Sequence, residues 1–269
     1  MRTNTPVVSV LMTVFNGEKY IYESINSIIE QTYKNWELLI VNDKSTDSTL
    51  KIIKQFKDKR INLINLKKKA GRTKALNLGL NKCRGEYVAI QDSDDLSAKT
   101  RLEKQFYLLS KDKKLALVFS WYKRIDKLGN VKKMYNDNLT DYEIKKFLPV
   151  KNLICHSSVM YKKLLILKIG GYPKDFIFSQ EYILWLKILI KYKVKLIKFF
   201  LVKYRDHDDQ LTNSKSQQIY IFKENLKILS WSRKNLLINK YNIFYYLKNL
   251  LINYFRLIKN LFYNKYLIY

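Results

Sequence analysis

Tyr87–Leu96, YVAIQDSDDL, runs four apolar residues straight into three carboxylates, Asp92, Asp94 and Asp95. The apolar part reads as a buried strand, and the acids fall where that strand must end. Like charges this close repel, and the chain around them is strongly basic: 51 Lys and Arg against 23 Asp and Glu, a formal net charge of +28. A cluster of this kind calls for a partner that makes it favourable.

Working outward, the same strand-then-polar pattern recurs. Val7–Thr13 and Trp36–Val41 read as buried strands, Ile61–Leu66 as a third. Between them, Tyr20–Gln31 places Ile21, Ser24, Ile25, Ile28 and Ile29 on one helical face, Ser45–Ser48 offers N-caps for a helix through Phe56, and Lys74–Cys83 reads as a helix. Alternation at this spacing predicts an α/β fold, a mostly parallel, Rossmann-like sheet with helices on both faces. Ligands in such sheets sit beyond the carboxyl ends of the strands. Three polar clusters fall there: Thr13–Asn16, Asn42-Asp43 and Asp92–Asp95. That convergence predicts one site.

The second half is less regular. Lys99–Leu109 and Gln180–Tyr192 read as helices, Leu115–Trp121, His156–Tyr161 and Val194–Tyr204 as strands, with turns at Lys127–Asn130 and Gly170–Pro173. From Lys215 the composition shifts: residues 215–269 hold ten Lys or Arg, one Glu, no Gly and no Pro. There Phe244, Leu247, Leu251, Tyr254, Phe255, Ile258 and Phe262 share one helical face, and Lys248, Asn249, Asn253, Arg256, Lys259 and Asn260 the other. The expected organisation is a domain over 1–214, split near residue 105 into two halves, with a helical extension over 215–269.

Hydrophobic residues make up 47% and charged residues 28%, enough for a packed core; seven Gly and three Pro leave little for flexible linkers. Cys83 and Cys155 lack metal or redox spacing and read as free thiols, although their number alone leaves a disulfide open. No signal-peptide pattern and no apolar window of about 18 residues occurs. The expectation is a cytoplasmic protein. The positive charge implies an anionic partner, or in part a compositional bias toward Lys.

Oxygen-rich acid clusters bind hard cations, and Mg²⁺ typically takes one or two carboxylates plus water and substrate phosphates. In an extended segment Asp92 and Asp94 would point the same way. A cation there would relieve their repulsion and hold a diphosphate. The plainer reading is a turn whose acids cap the next helix; the coincidence with Asp43 weighs against it.

The stretches SVLMTVFNGEKYIYESINSIIEQTYKNWELLIVNDKSTDST, LNLGL and GEYVAIQDSDDLSAKTRLEKQ resemble the family 2 glycosyltransferases, which have the GT-A fold. The resemblance runs from about Pro6 to Thr212 and thins after Gln105. It implies an inverting enzyme that uses a nucleotide-diphospho-sugar and Mn²⁺ or Mg²⁺. Thr13, Phe15 and Asn16 would contact base and ribose, Phe15 standing where Tyr is more usual. Asp43 would hydrogen-bond the base, favouring uracil or thymine. Asp92 would lie near the ribose with Ser93 beside it, Asp94 would hold the metal, Asp95 would support the loop, and Arg72 would reach a phosphate. Leu76 departs from the Arg that many members carry.

The same resemblance places Glu181, in SQEYILWLK, at the position of the general base, where Asp is usual; Gly171 and Tyr172 fall on the acceptor-side loop. The plainer reading of Glu181 is a solvated acid at a helix start. His156 reads as a structural, hydrogen-bonded residue. His207, in YRDHDDQLTNS, is a candidate to approach the diphosphate or complete the metal shell. The implied acceptor is a saccharide or lipid-linked hydroxyl in surface polysaccharide, lipopolysaccharide or glycan synthesis. The basic tail could lie on anionic lipid at the cytoplasmic face of a membrane, or pack on the domain. Nucleic acid is not expected, since no binding motif supports it. Two alternatives stand beside this reading. A sugar-nucleotide nucleotidyltransferase would want a Gly-rich basic loop after the first strand, where TVFNGEKY has only Gly17. A catalytically weak membrane-surface protein would leave Asp43, Asp92 and Asp94 without purpose.

Overall fold

A computed structural model describes residues 6–208, 210, 215–235 and 237–265. The first half alternates as the pattern predicts: β1 (Val8–Val14), α1 (Ile21–Ile29), β2 (Trp36–Asn42), α2 (Thr49–Gln55), β3 (Ile61–Asn65), α3 (Arg72–Lys82) and β4 (Tyr87–Ile90). A two-residue strand β5 (Leu96–Ser97) and helix α4 (Arg101–Lys111) follow. The second half contains β6 (Leu115–Ile125), β7 (Val131–Tyr135), α5 (Asp141–Phe147), β8 (Met160–Lys162), α6 (Lys163–Lys168), α7 (Gln180–Lys191) and β9 (Lys193–Arg205). Helices α8 (Lys215–Lys234) and α9 (Ile243–Lys265) form the tail.

The strand order is β3-β2-β1-β4-β8-β6-β9-β5, with β7 beside β6. The pairs β1–β2, β1–β4, β2–β3 and β6–β9 are parallel; β8 runs antiparallel to both β4 and β6. Period-two alternation divides the core between the two faces of the sheet. Leu11, Leu39, Val41, Val88 and Ile90 pack with Leu76 and Leu80 of α3, Trp185 and Leu186 of α7, and Ile228 of α8. Val10, Met12, Leu38, Ile40 and Ala89 pack with Ile21 and Ile25 of α1 and Leu102 of α4. Gly79 lets α3 approach this closely: a β-carbon there would stand 2.3 Å from Leu11 Cδ1.

Two expectations change. His156–Tyr161 is not one strand: His156–Ser158 forms a 3₁₀ turn, and β8 begins at Met160. On α9 the covered face is not the apolar stripe. Phe244, Leu247, Leu251, Tyr254 and Phe255 are all at least half exposed, whereas Tyr246 and Asn253 are buried and Asn249 is half-buried. Asn225 of α8 reaches Asn253 at 3.4 Å, and Leu229 packs with Tyr246 and Val150, so amides and one tyrosine make the contact. The side chains of Asn260 and Phe262 lie outside the described set. Cys83 and Cys155 are free thiols. No helix among the described residues is long and apolar enough to cross a membrane.

Candidate active site

The register brings the three polar clusters level. Val14 pairs with Asn42, and Ile90 pairs with Leu11, so the chain leaves β4 beside Met12 and Thr13. The loops after β1 and β2 are then tied together. Asn16, with φ +53°, accepts from Thr46 N at 2.8 Å and donates its own N–H to Ser45 Oγ at 2.9 Å. Asp43 is buried, and its two oxygens accept from Ala70 N at 2.6 Å and Gly71 N at 2.9 Å. Asp43 therefore holds the loop that leads into Arg72. Phe15 is 41% exposed, with the Lys69 ammonium 3.4 Å over its ring. Thr13 is half-buried on β1.

The acidic cluster is not extended. It turns at Ser93 and Asp94, and Asp95 N donates to Asp92 O at 3.2 Å. Asp92 and Asp94 consequently diverge, which corrects the expectation of two carboxylates on one side of a strand. Asp92 Oδ1 accepts from Arg72 Nη2 at 2.8 Å and lies 3.2 Å from His156 Nδ1. Burial works to raise the Asp92 carboxyl, but Arg72 and then His156 outweigh it and hold it well below the usual carboxylate range. Asp94 instead faces His207, Oδ2 to Nε2 at 3.0 Å, across 113 residues of sequence. Asp95 is fully buried, and its Oδ1 accepts from Arg205 N at 2.8 Å. Burial, with Asp94 and Asp92 beside it, pushes its carboxyl well above the usual range.

Two buried arginines that sequence reasoning did not single out brace this loop. Arg101 spends all five N–H groups on Ile90 O, Val159 O, Gln91 Oε1, Ser97 Oγ and Gln105 Oε1, at 2.7–3.1 Å. Burial lowers it to about 10, so it stays charged at neutral pH beneath the acids. Arg205 donates Nε to Asp94 O at 3.0 Å and Nη2 to Glu23 Oε2 at 2.6 Å. Arg205 is the second residue of YRDHDDQLTNS, two before His207, and so lies within the resemblance; Arg101 carries no signal beyond an arginine in an amphipathic helix. Leu76 is part of the core, so position 76 offers no phosphate contact; Arg72, at the start of α3, carries the cation instead.

On the acceptor side the expectation for Tyr172 changes. Tyr172 is 1% exposed, and its hydroxyl lies 3.1 Å from His156 Nε2, so the ring backs His156 rather than a substrate surface. Gly171, with φ +68°, is pressed against α3: a β-carbon would stand 2.6 Å from Asn77 Oδ1. Asn77 clamps the loop, accepting from Tyr172 N at 2.9 Å and donating to Tyr172 O at 2.7 Å. Asn77 lies inside LNLGL, whose spacing marks a helix but not a clamp on a loop 95 residues away. Glu181 is half-buried in the first turn of α7, and its charge is felt by Arg72 and Tyr172. Its carboxylate accepts no hydrogen bond from another described residue.

Asp94 and His207 fit a divalent cation by their chemistry: one carboxylate and one imidazole, adjacent, at the carboxyl edge of the sheet. Asp92 is committed to Arg72 and His156, and no group of three or more His, Cys, Asp or Glu suited to a metal occurs among the described residues. A two-ligand protein site of this kind leaves the remaining positions to phosphate and water.

Comparison with known proteins agrees with this architecture. The sequence profile of Glycosyl transferase family 2 matches residues 9–167, more than half of the chain. A glycosyltransferase of Methanocaldococcus jannaschii is 38% identical over 226 residues, covering 81% of this chain and 77% of its own. The Escherichia coli UDP-Glc:alpha-D-GlcNAc-diphosphoundecaprenol beta-1,3-glucosyltransferase WfgD is 30% identical over 215 residues, 79% of this chain and 82% of its own. Among solved structures, mannosyltransferase PcManGT from Pyrobaculum calidifontis, in complex with GDP-Man and Mn²⁺, superposes with a TM-score of 0.67 at 19% identity, over 95% of this chain and 73% of that one. The fold is thus that of the GT-A glycosyltransferases, and the chain belongs to glycosyltransferase family 2.

Proposed function

We propose that this glycosyltransferase moves a sugar from a nucleotide-diphospho-sugar to the hydroxyl of a saccharide or lipid-linked acceptor, with inversion, in cell-surface polysaccharide, lipopolysaccharide or glycan synthesis. The observation that carries the reading is the Asp94–His207 pair at 3.0 Å, beside the Arg72–Asp92 ion pair at 2.8 Å. A cation and a diphosphate binding there have both an acidic holder and a basic one. Asp94 and His207 would hold Mn²⁺ or Mg²⁺, which when bound would supply charge neutralisation for the leaving diphosphate.

The chain's own residues do the rest. Phe15 offers a half-exposed ring to the base, with Thr13 and Asn16 lining the ribose. Asp43 keeps lone pairs beyond those given to Ala70 and Gly71, and a base imide N–H is their match, so UDP- or dTDP-sugars are favoured. Arg72 orients the diphosphate, and Asp92 fixes Arg72; Ser93 shares the same turn. Glu181 takes the acceptor proton, and its carboxylate is not engaged by another described side chain. WfgD, by name, acts on a diphosphoundecaprenol-linked sugar. An acceptor of that class suits the outward stripe of α9, where Leu247, Leu251, Tyr254 and Phe255 are exposed and Lys248 and Lys259 flank them. We place this face on anionic lipid, at the cytoplasmic side of a membrane.

Calorimetric titration with UDP, dTDP, GDP and CDP in Mn²⁺ tests the donor. UDP or dTDP should bind, and Asp43→Asn should weaken them about tenfold or more. Binding of GDP alone would sink the pyrimidine assignment. Serine at positions 247, 251 and 255 should abolish sedimentation with anionic vesicles; unchanged sedimentation would remove α9 from the membrane.

A further inference from the structure

Residues 215–269 contain a single acid, Glu224, and it is 7% exposed on an otherwise basic segment. Glu224 Oε1 accepts from Ile177 N at 2.6 Å, and Oε2 accepts from Phe178 N at 3.1 Å and Ser179 N at 2.8 Å. Ser179 is the N-cap of α7, and its own side chain makes no cap hydrogen bond. Of these three amides only Ser179 N–H belongs to the helix start, where unpaired N–H groups need an acceptor and a carboxylate gains from the helix dipole as well; Ile177 and Phe178 lie in the loop just before it. Here that acceptor arrives from α8, 45–47 residues downstream.

The loop is held from its other end too. Phe176 O accepts from Thr73 Oγ1 at 3.0 Å, and Thr73 is the neighbour of Arg72 on α3. One turn beyond Glu224, Ile228 is buried in the same core cluster as Leu184 and Trp185 of α7, so α8 cannot shift without moving α7. Residues 176–179 are therefore strung between the helix of Arg72 and the helix of Glu224. Glu181 follows two residues after Ser179, in the first turn of α7.

We propose that Glu224 is a positioning residue for the acceptor-side base, and that the C-terminal extension completes the acceptor half of the site by setting the first turn of α7. This rests on Glu181 being the base. A displacement near 1 Å at such a group can cost on the order of 10²-fold in rate.

The test uses the full chain as wild type, Glu224→Ala, Glu224→Gln and Glu181→Gln. Amide exchange is read at Ile177, Phe178 and Ser179, Mn²⁺–UDP binding by calorimetry, and UDP release across a panel of UDP-sugars with water as acceptor. Glu224→Ala should speed exchange at the three amides by tenfold or more, lower kcat roughly 10- to 100-fold, and leave KM for the donor and Mn²⁺–UDP affinity within about threefold. Glu224→Gln keeps an acceptor oxygen and should recover part of the rate; it is read by the same criteria if the alanine variant does not fold. Unchanged exchange at Ile177–Ser179, or wild-type kcat in Glu224→Ala beside a slow Glu181→Gln, would overturn the proposal. A slow Glu224→Ala beside a fully active Glu181→Gln would instead overturn the base assignment while the tether stands.

Discussion

Asp92 and Glu181 both act on Arg72, and they are held in opposite ways. Asp92 is bonded by Arg72 and touched by His156, while its own N–H donates to Ser157 Oγ and its carbonyl accepts from Ser24 Oγ. Glu181 receives no hydrogen bond from another described residue. The donor edge is a network whose members fix one another. On the proposed reading the acceptor edge keeps its acid open for the substrate, on a helix whose N-cap is held by Glu224 and whose preceding loop is held by Thr73 and Asn77. The difference fits the work of each side. A leaving diphosphate is best met by fixed charges, whereas a base must keep a lone pair ready.

The comparison breaks most sharply if the donor edge is not a network. Arg101→Met should cost about 3–5 kcal/mol, because five acceptors lose their partner in the interior and the acids lose a buried cation. Denaturant unfolding would show this as a lower midpoint at similar slope. A loss under about 1 kcal/mol would mean that the loop does not depend on the arginine. Glu181→Gln probes the other edge: transfer should fall by about 10²- to 10³-fold while Mn²⁺–UDP affinity and stability stay put. A parallel loss of nucleotide affinity would show that the two edges are not separate.

The smallest effect calibrates both. Asp58 and Arg60 pair at 2.6 Å on the surface, and the hydrogen bond from Arg60, ahead of the opposing effect of burial, holds the Asp58 carboxyl below its ordinary range. Its folded pKa lies below the unfolded value, so the stability it adds is present above about pH 4 and is lost as pH falls through the folded pKa. Asp58→Asn should cost roughly 0.5 kcal/mol at pH 7, with the difference closing toward pH 2. A cost that persists in acid would assign it to packing.

Much of the donor half was legible because strand–helix alternation is a local signal. β4 ends where it was expected, at Ile90, and β1, β2 and β3 end within a residue of their expected limits, so the three clusters converge. What alternation did not carry was side-chain direction. A turn at Ser93-Asp94 sends Asp92 and Asp94 to different partners, and those partners, His156 and His207, lie 64 and 113 residues away. The acceptor half was harder for the same reason at larger scale. Tyr172 was expected at the acceptor and is buried behind His156, because Asn77 pulls its backbone onto α3. On α9 the period found the apolar stripe but not which side is covered, since Asn225 and Asn253 make the contact.

On the proposed reading Asp94, with His207, holds the cation that meets the donor's diphosphate. Titrating wild type and Asp94→Ala with UDP, with and without Mn²⁺, tests it most directly. Mn²⁺ should tighten UDP binding to wild type by about tenfold or more, and Asp94→Ala should lose this increment while keeping its metal-free affinity and its unfolding midpoint. A variant that kept the full Mn²⁺ increment would place the metal elsewhere.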